Sequence, residues 1–144
     1  MLTYNIFSLR DPQPSERQGL QKLFQSVGWE AGNEPDWFYK AISNSGASVY
    51  AAITPSRKLV GWIRVWHDDV WQANIDCLVV HLDVQNMGIG TALMNHVLEE
   101  CKDVKYINVC TNFPETIPFY EKFGFKDING RFLQKENKVE HYTM

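Results

Sequence analysis

Leu78-Val79-Val80-His81-Leu82-Asp83-Val84-Gln85-Asn86-Met87-Gly88-Ile89-Gly90-Thr91 runs from an apolar stretch through a glycine-bearing turn into a second apolar pattern. Leu93, Met94, Val97, Leu98 and Cys101 then recur on one helical face, so a helix of about three turns starts near Gly88 to Gly90. The segment reads as strand, loop, helix. Its two glycines fall where the backbone must turn and where a ligand can approach main-chain amides closely. Exposed N–H groups at a helix start, together with the positive end of the helix dipole, favour an anion, and a pyrophosphate-bearing cofactor is the natural guest. A strand-to-helix turn that simply needs glycine accounts for the same residues.

The residues on either side of the loop exclude two common phosphate binders. A Walker loop needs Gly-Lys-Ser/Thr, whereas Gly90 is followed by Thr91-Ala92-Leu93 and the next lysine is Lys102. A dinucleotide fingerprint needs G-x-G-x-x-G early in a βαβ unit, and here the loop comes after a run of hairpins. Val49, Ala51 and Ile53 alternate, Thr54-Pro55-Ser56-Arg57-Lys58 turns, and Leu59 to Trp66 returns; His67-Asp68-Asp69 turns again before a strand from Trp71 to Val80. These three strands form an antiparallel meander.

Upstream, Leu2 to Leu9 alternates as a first strand, and Asp11-Pro12-Gln13-Pro14 breaks it. Ser15 with Gln18 forms a capping-box pattern ahead of Leu20, Leu23, Phe24 and Val27, with Gly28 as a stop. Pro35, Trp37, Phe38, Ala41 and Ile42 indicate a shorter second helix. Downstream, Val104 to Cys110 reads as a buried strand and Pro114 to Phe123 as a helix stopped by Gly124. Lys138 to Thr143 reads as a final strand, which Asn129-Gly130 would turn towards. The expectation is one domain over residues 1–144, of mixed α/β class, with a central, mostly antiparallel sheet flanked by helices.

Composition narrows the partners. With 144 residues, 44% hydrophobic and 22% charged, the chain has the apolar content to bury a core and too much charge for a membrane bundle. A net charge of −3 supplies no electrostatic reason to bind nucleic acid or an anionic membrane. Cys77, Cys101 and Cys110 are odd in number and lack C-x-x-C spacing, which argues against a disulfide framework and against a zinc pattern, and fits a cytoplasmic protein.

The segment from Leu78 to Gly90, followed about thirty residues later by Phe119-Tyr120-Glu121-Lys122-Phe123-Gly124-Phe125, resembles the GCN5-related N-acetyltransferase family. The first piece is similar to that family's acetyl-coenzyme A motif, the second to its Tyr-Glu-Lys-x-Gly-Phe segment. The small size and the Val60-Gly61-Trp62-Ile63-Arg64 strand look most similar to short bacterial and plastid members.

The resemblance implies a set of roles. Leu78, Val79 and Val80 would offer backbone to the pantetheine arm, an amide near Val80 would polarise the thioester carbonyl, and Gln85, Asn86, Met87, Gly88, Ile89, Gly90 and Thr91 would hold the pyrophosphate. Tyr120 resembles the family's proton donor to sulfur; a core tyrosine on an apolar helix face is the other reading. Asn112 would hydrogen-bond the cofactor from the end of the fifth strand, although Phe113 occupies the position the family's asparagine usually takes. For the base, the fourth-strand positions are Asn74, which takes no proton, and Asp76, which does and shares strand parity with Leu78 and Val80. His67, His81 or solvent are the alternatives. Trp29, Trp37, Trp62, Trp66 and Trp71 either line an amine pocket or fill core and interface, and Asp36, Asp68 and Asp69 either attract a cationic amine or are solvated.

The resemblance further implies acetyl transfer from acetyl-coenzyme A to a primary amine by direct attack in a ternary complex, with no metal required. A small-molecule amine is expected, and a peptide or protein amine is the variant. A non-catalytic acyl-coenzyme A-binding module is the rival from another class. Val139, Tyr142 and Met144 on the last strand could pair across a homodimer.

Overall fold

Five strands hydrogen-bond in the order in which they occur along the chain: β1 (Asn5–Ser8), β2 (Ser48–Ile53), β3 (Leu59–His67), β4 (Gln72–Val80) and β5 (Tyr106–Val109). β1 to β4 are antiparallel, and β5 lies parallel to β4. The computed structural model describes residues 1–29, 32–33, 35–44 and 46–138. The meander is therefore present. Its first turn closes with the Thr54 N–H donating to the Lys58 carbonyl at 3.0 Å. In the second, the Asp68 carboxylate accepts the N–H groups of Val70, Trp71 and Gln72 at 2.9, 2.6 and 3.1 Å.

Helices cover both faces. On one face, α1 (Pro14–Ser26) packs Leu20, Leu23 and Phe24 against Val49, Ala51, Leu59 and Trp62, and Ile42 of α2 (Pro35–Asn44) joins them. On the other, α3 (Ile89–Glu100) buries Ile89, Leu93, Met94 and Val97 against Ala52, Ile63, Val65, Ala73 and Ile75. Alternation along the strands feeds both layers. The approach of α3 to β3 is set at Gly61, where a Cβ would stand 2.8 Å from Ile89 Cγ2 and 2.9 Å from Leu93 Cδ1. A short α4 (Ile117–Glu121), led in by a 3-10 turn at Pro114–Thr116, lays Phe119, Tyr120 and Phe123 on the α3 side. It ends before Gly124, whose φ of +91° is one that side chains resist. Among the described residues no helix is long and apolar enough to cross a membrane.

Several expectations are corrected. α1 begins at Pro14, whose fixed φ suits a first helical position, so the reciprocal cap is Gln13 with Glu16 rather than Ser15 with Gln18; the Gln13 N–H donates to Glu16 Oε1 at 2.9 Å. β1 is shorter than Leu2 to Leu9. β5 is not buried: it is a sheet edge among the described residues, and Tyr106 is half-exposed. Residues 126–138 carry no strand, although Asn129 does turn, with φ +57° and its N–H donating to Asp127 Oδ1 at 2.7 Å. The rest of the expected final strand, 139–143, lies outside the described residues, as do Met144 and the side chains of Asp36 and Trp37.

Candidate active site

β4 changes character halfway along. Gln72 to Ile75 pair with β3 on one edge and with β5 on the other, and the β5 ladder stops at the Ile75–Val109 pair. Just beyond, Arg64 pairs with Cys77 and Val65 with Ile75, which leaves Asp76 as the extra residue of a β-bulge. From Asp76 to Val80 one edge of β4 has no strand partner among the described residues, so backbone N–H and C=O groups on that side face a gap.

That gap is a cleft of about 440 Å³. Ile75, Asp76, Cys77 and Leu78 form one wall, Val109, Cys110, Thr111, Asn112 and Phe113 the other, with Trp29, Thr116 and Tyr120 around them. Four of the expected site residues, Asp76, Leu78, Asn112 and Tyr120, therefore meet in one place. Burial pushes the Tyr120 hydroxyl above its ordinary pKa of 10.0, so it stands neutral at pH 7. Its hydroxyl has no protein partner among the described residues.

The bulge also overturns the parity expected for Asp76. Ala73 and Ile75 face the α3 layer, as do Leu78 and Val80, so the extra residue turns Asp76 to the opposite face. There it meets Arg64 in a two-point ion pair, both N···O distances 3.0 Å, and accepts the Trp66 indole N–H at 3.0 Å. The Arg64 guanidinium lies 5.4, 5.8 and 5.7 Å from the ring centroids of Phe38, Trp62 and Trp66. Sequence reading missed this arrangement. Its one signal is an arginine inside the apolar run Leu59 to Trp66, which has to find a carboxylate. Cys77, beside Asp76, is pushed up to about 12 by burial, with the charge of Asp76 adding to it.

The glycine loop lies next to the cleft rather than in its wall. Val79 is buried in the α1 layer, and Val80 packs towards α3. The Gln85 side-chain amide donates to the Val80 carbonyl at 3.1 Å, folding the loop back on the strand. Asn86 has φ +64° and Gly88 +86°, the latter as the N-cap of α3. A glycine cap has no side chain to satisfy the first-turn amides, so these N–H groups stay open to a ligand. Ile89 is locked in the core while Met87 and Thr91 are exposed, so what the turn presents is mainly backbone. A Cβ on Gly90 would touch Phe119, and the Phe119 ring centroid is 5.1 Å from that of Tyr120, which links loop to phenol.

Neither histidine enters the cleft. His81 caps the 3-10 turn Leu82–Val84, its Nδ1 accepting the Asp83 N–H at 3.2 Å. His67 pairs with Ala73 at the closed end of β4 and bonds Glu100.

Comparison with known proteins agrees with this geometry. Residues 6–125 match the acetyltransferase (GNAT) family. An uncharacterised N-acetyltransferase, ycf52, of Porphyra purpurea is 32% identical over 89% of this chain and 78% of its own length. The N-alpha-acetyltransferase 50 of Danio rerio is 30% identical over 83% of this chain and 74% of its own. The chain spans 66% and 59% of the ycf52 proteins of Pyropia yezoensis and Gracilaria tenuistipitata. Among solved structures, a GNAT-family acetyltransferase of Streptococcus pneumoniae TIGR4 shares the fold, with a TM-score of 0.76 and 23% identity over 95% of this chain and all of that one. With a glycine-capped helix beside a split sheet and a phenol in the split, the chain belongs to the GNAT acetyltransferase family.

Proposed function

We propose that the protein is an N-acetyltransferase that moves an acetyl group from acetyl-coenzyme A to the primary amine of a small molecule, by direct attack in a ternary complex. The observation that carries this reading is that an edge of β4 and the phenol of Tyr120, each without a partner among the described residues, face the same cleft. Acetyl-coenzyme A supplies an activated thioester. The free edge of Asp76 to Val80 pairs with the pantetheine amides, and an amide near Val80 polarises the thioester carbonyl. The turn from Gln85 to Thr91 binds the pyrophosphate through main-chain N–H groups, with Asn112 hydrogen-bonding from the opposite wall.

The proton balance assigns the side chains. An alkyl ammonium, with pKa near 10.4, loses one proton to water before it attacks. Asp76 accepts three N–H donors out of about four lone-pair directions, so one direction remains to hold that water. After attack, a second proton leaves the nitrogen and balances the one that Tyr120 gives to the departing sulfur. A thiol's pKa near 8.5 lies below that of Tyr120, so the phenol recovers its proton as the nitrogen loses its own.

A peptide N-terminal amine is the second reading, favoured by the likeness to N-alpha-acetyltransferase 50. Thiol release measured over a panel of small amines and short peptides, with the wild type and Tyr120→Phe, decides between them. Turnover on small amines that falls in the variant is expected. Turnover confined to peptides selects the second reading, and coenzyme A binding with no turnover on any acceptor makes the protein a binding module.

A further inference from the structure

The end of α3 remote from Gly88 carries a polar cluster that acetyl transfer does not use. His67 closes β3, while Glu100 and Cys101 end α3. One donor atom from each, an imidazole nitrogen, a carboxylate oxygen and the thiol sulfur, lies within 4.8 Å of the other two. We propose that His67, Glu100 and Cys101 form a binding site for one divalent transition-metal ion of the zinc class.

The donor set selects the cation. Nitrogen, oxygen and sulfur together suit zinc, cobalt or nickel, whereas magnesium and calcium take oxygen alone. Tetrahedral bonds of about 2.0–2.3 Å place donors roughly 3.3–3.8 Å apart. His67 Nε2 and Glu100 Oε2, now 2.8 Å apart, therefore open by about half an ångström, and the widest separation in the cluster closes by about one. The donors are held before any ion arrives: the His67 and Glu100 side chains are 13% and 24% exposed, and Cys101 is fully buried.

Each outer contact is already in place. The Tyr50 hydroxyl donates to Glu100 Oε1, which orients the carboxylate and leaves Oε2 towards His67. His67 Nδ1 is 3.3 Å from the Asp69 N–H and 3.2 Å from Asp69 Oδ1. Without a metal, Nδ1 accepts from that N–H and the Nε2 proton is donated to Glu100. With one, the ring takes its other tautomer: Nδ1 carries the proton towards Asp69 Oδ1, and the Nε2 lone pair turns to the cation. Metal-bound histidines commonly rest on a carboxylate in this way. The Cys101 thiol releases its proton to water as the sulfur–metal bond forms, and no electrons change hands. Thiolate and carboxylate neutralise the dication, the partly open side of Glu100 admits a water as fourth ligand, and the ion ties the end of β3 to the last turn of α3.

Cobalt(II) chloride added alone to the purified full chain, under reducing conditions, tests this. One equivalent should produce a tetrahedral visible spectrum with a sulfur-to-cobalt charge-transfer band in the near ultraviolet, and zinc should displace both. His67→Gln and Cys101→Ser should each abolish the band, Asp69→Ala should weaken cobalt binding by about 10–100-fold, and Cys110→Ser should change nothing. Circular dichroism checks that each variant folds. Should Cys101→Ser not fold, His67→Gln and Glu100→Gln carry the test. No band at stoichiometric cobalt, a band that survives His67→Gln, or one lost only with Cys110→Ser overturns the site.

Discussion

The two halves of β4 are made of similar residues and do different work. Gln72 to Ile75 is held on both edges and sends Ala73 and Ile75, at 0% and 2% exposure, into the α3 layer. Among the described residues, Asp76 to Val80 is held on one edge, and Leu78 is only half-buried at the cleft wall. One extra residue, Asp76, separates the regimes. The bulge ends the ladder with β5, reverses side-chain parity and leaves backbone groups unpaired where a substrate can use them. The closed half gives its apolar side chains to the α3 layer, whereas the open half buries Val79 under α1 and leaves Leu78 at the wall of the cleft, where the proposed chemistry takes place.

The largest effect expected of the open half is kinetic. Tyr120→Phe should lower kcat by about 10²–10⁴-fold with little change in the affinity for coenzyme A. Because burial raises the Tyr120 pKa above 10.0, wild-type kcat should hold through neutral pH and decline only above pH 10, where the phenolate has no proton to give. An alkaline limb near neutrality, or an active Tyr120→Phe, would assign the proton to another group.

Substitutions on the two sides of the bulge should then separate stability from binding. Ile75→Ala should cost about 2–5 kcal/mol in urea unfolding. Leu78→Ala should cost under about 1.5 kcal/mol yet weaken coenzyme A binding about tenfold, read by calorimetry. Equal losses of stability at both positions would erase the distinction between the halves.

At the loop, Gly88→Ala must place a Cβ at φ +86°, at about 1–2 kcal/mol, and should weaken coenzyme A binding about tenfold, whereas Met87→Ala should leave it within about twofold. On kcat, a much smaller effect than that of Tyr120→Phe is expected of Asp76→Asn. With its carboxylate already taken up by Arg64 and Trp66, a water-holding role predicts a drop in kcat of under about tenfold. A loss of 10²-fold or more would make Asp76 the base itself.

Much of this was legible in the residues, for physical reasons that differ from place to place. The loop and α3 could be read because glycine spacing and a helical stripe are local signals, and the meander because its turns carry proline, aspartate and polar runs. The face that Asp76 takes was not legible, because a bulge shifts parity by one residue without changing composition. β5 read as buried because its residues are apolar, although the sheet ends there among the described residues. The meeting of His67, Glu100 and Cys101 was hidden as well, since it arises from the packing of β3 against α3, two elements far apart in the sequence.

The unequal thiols offer a practical handle. Cys77 and Cys101, pushed up to about 12 and about 11 chiefly by burial, resist alkylation, while Cys110 is exposed on the opposite wall of the cleft. A fluorescent maleimide on the unmodified chain would thus attach at one place, giving a reporter of occupancy that needs no engineered cysteine.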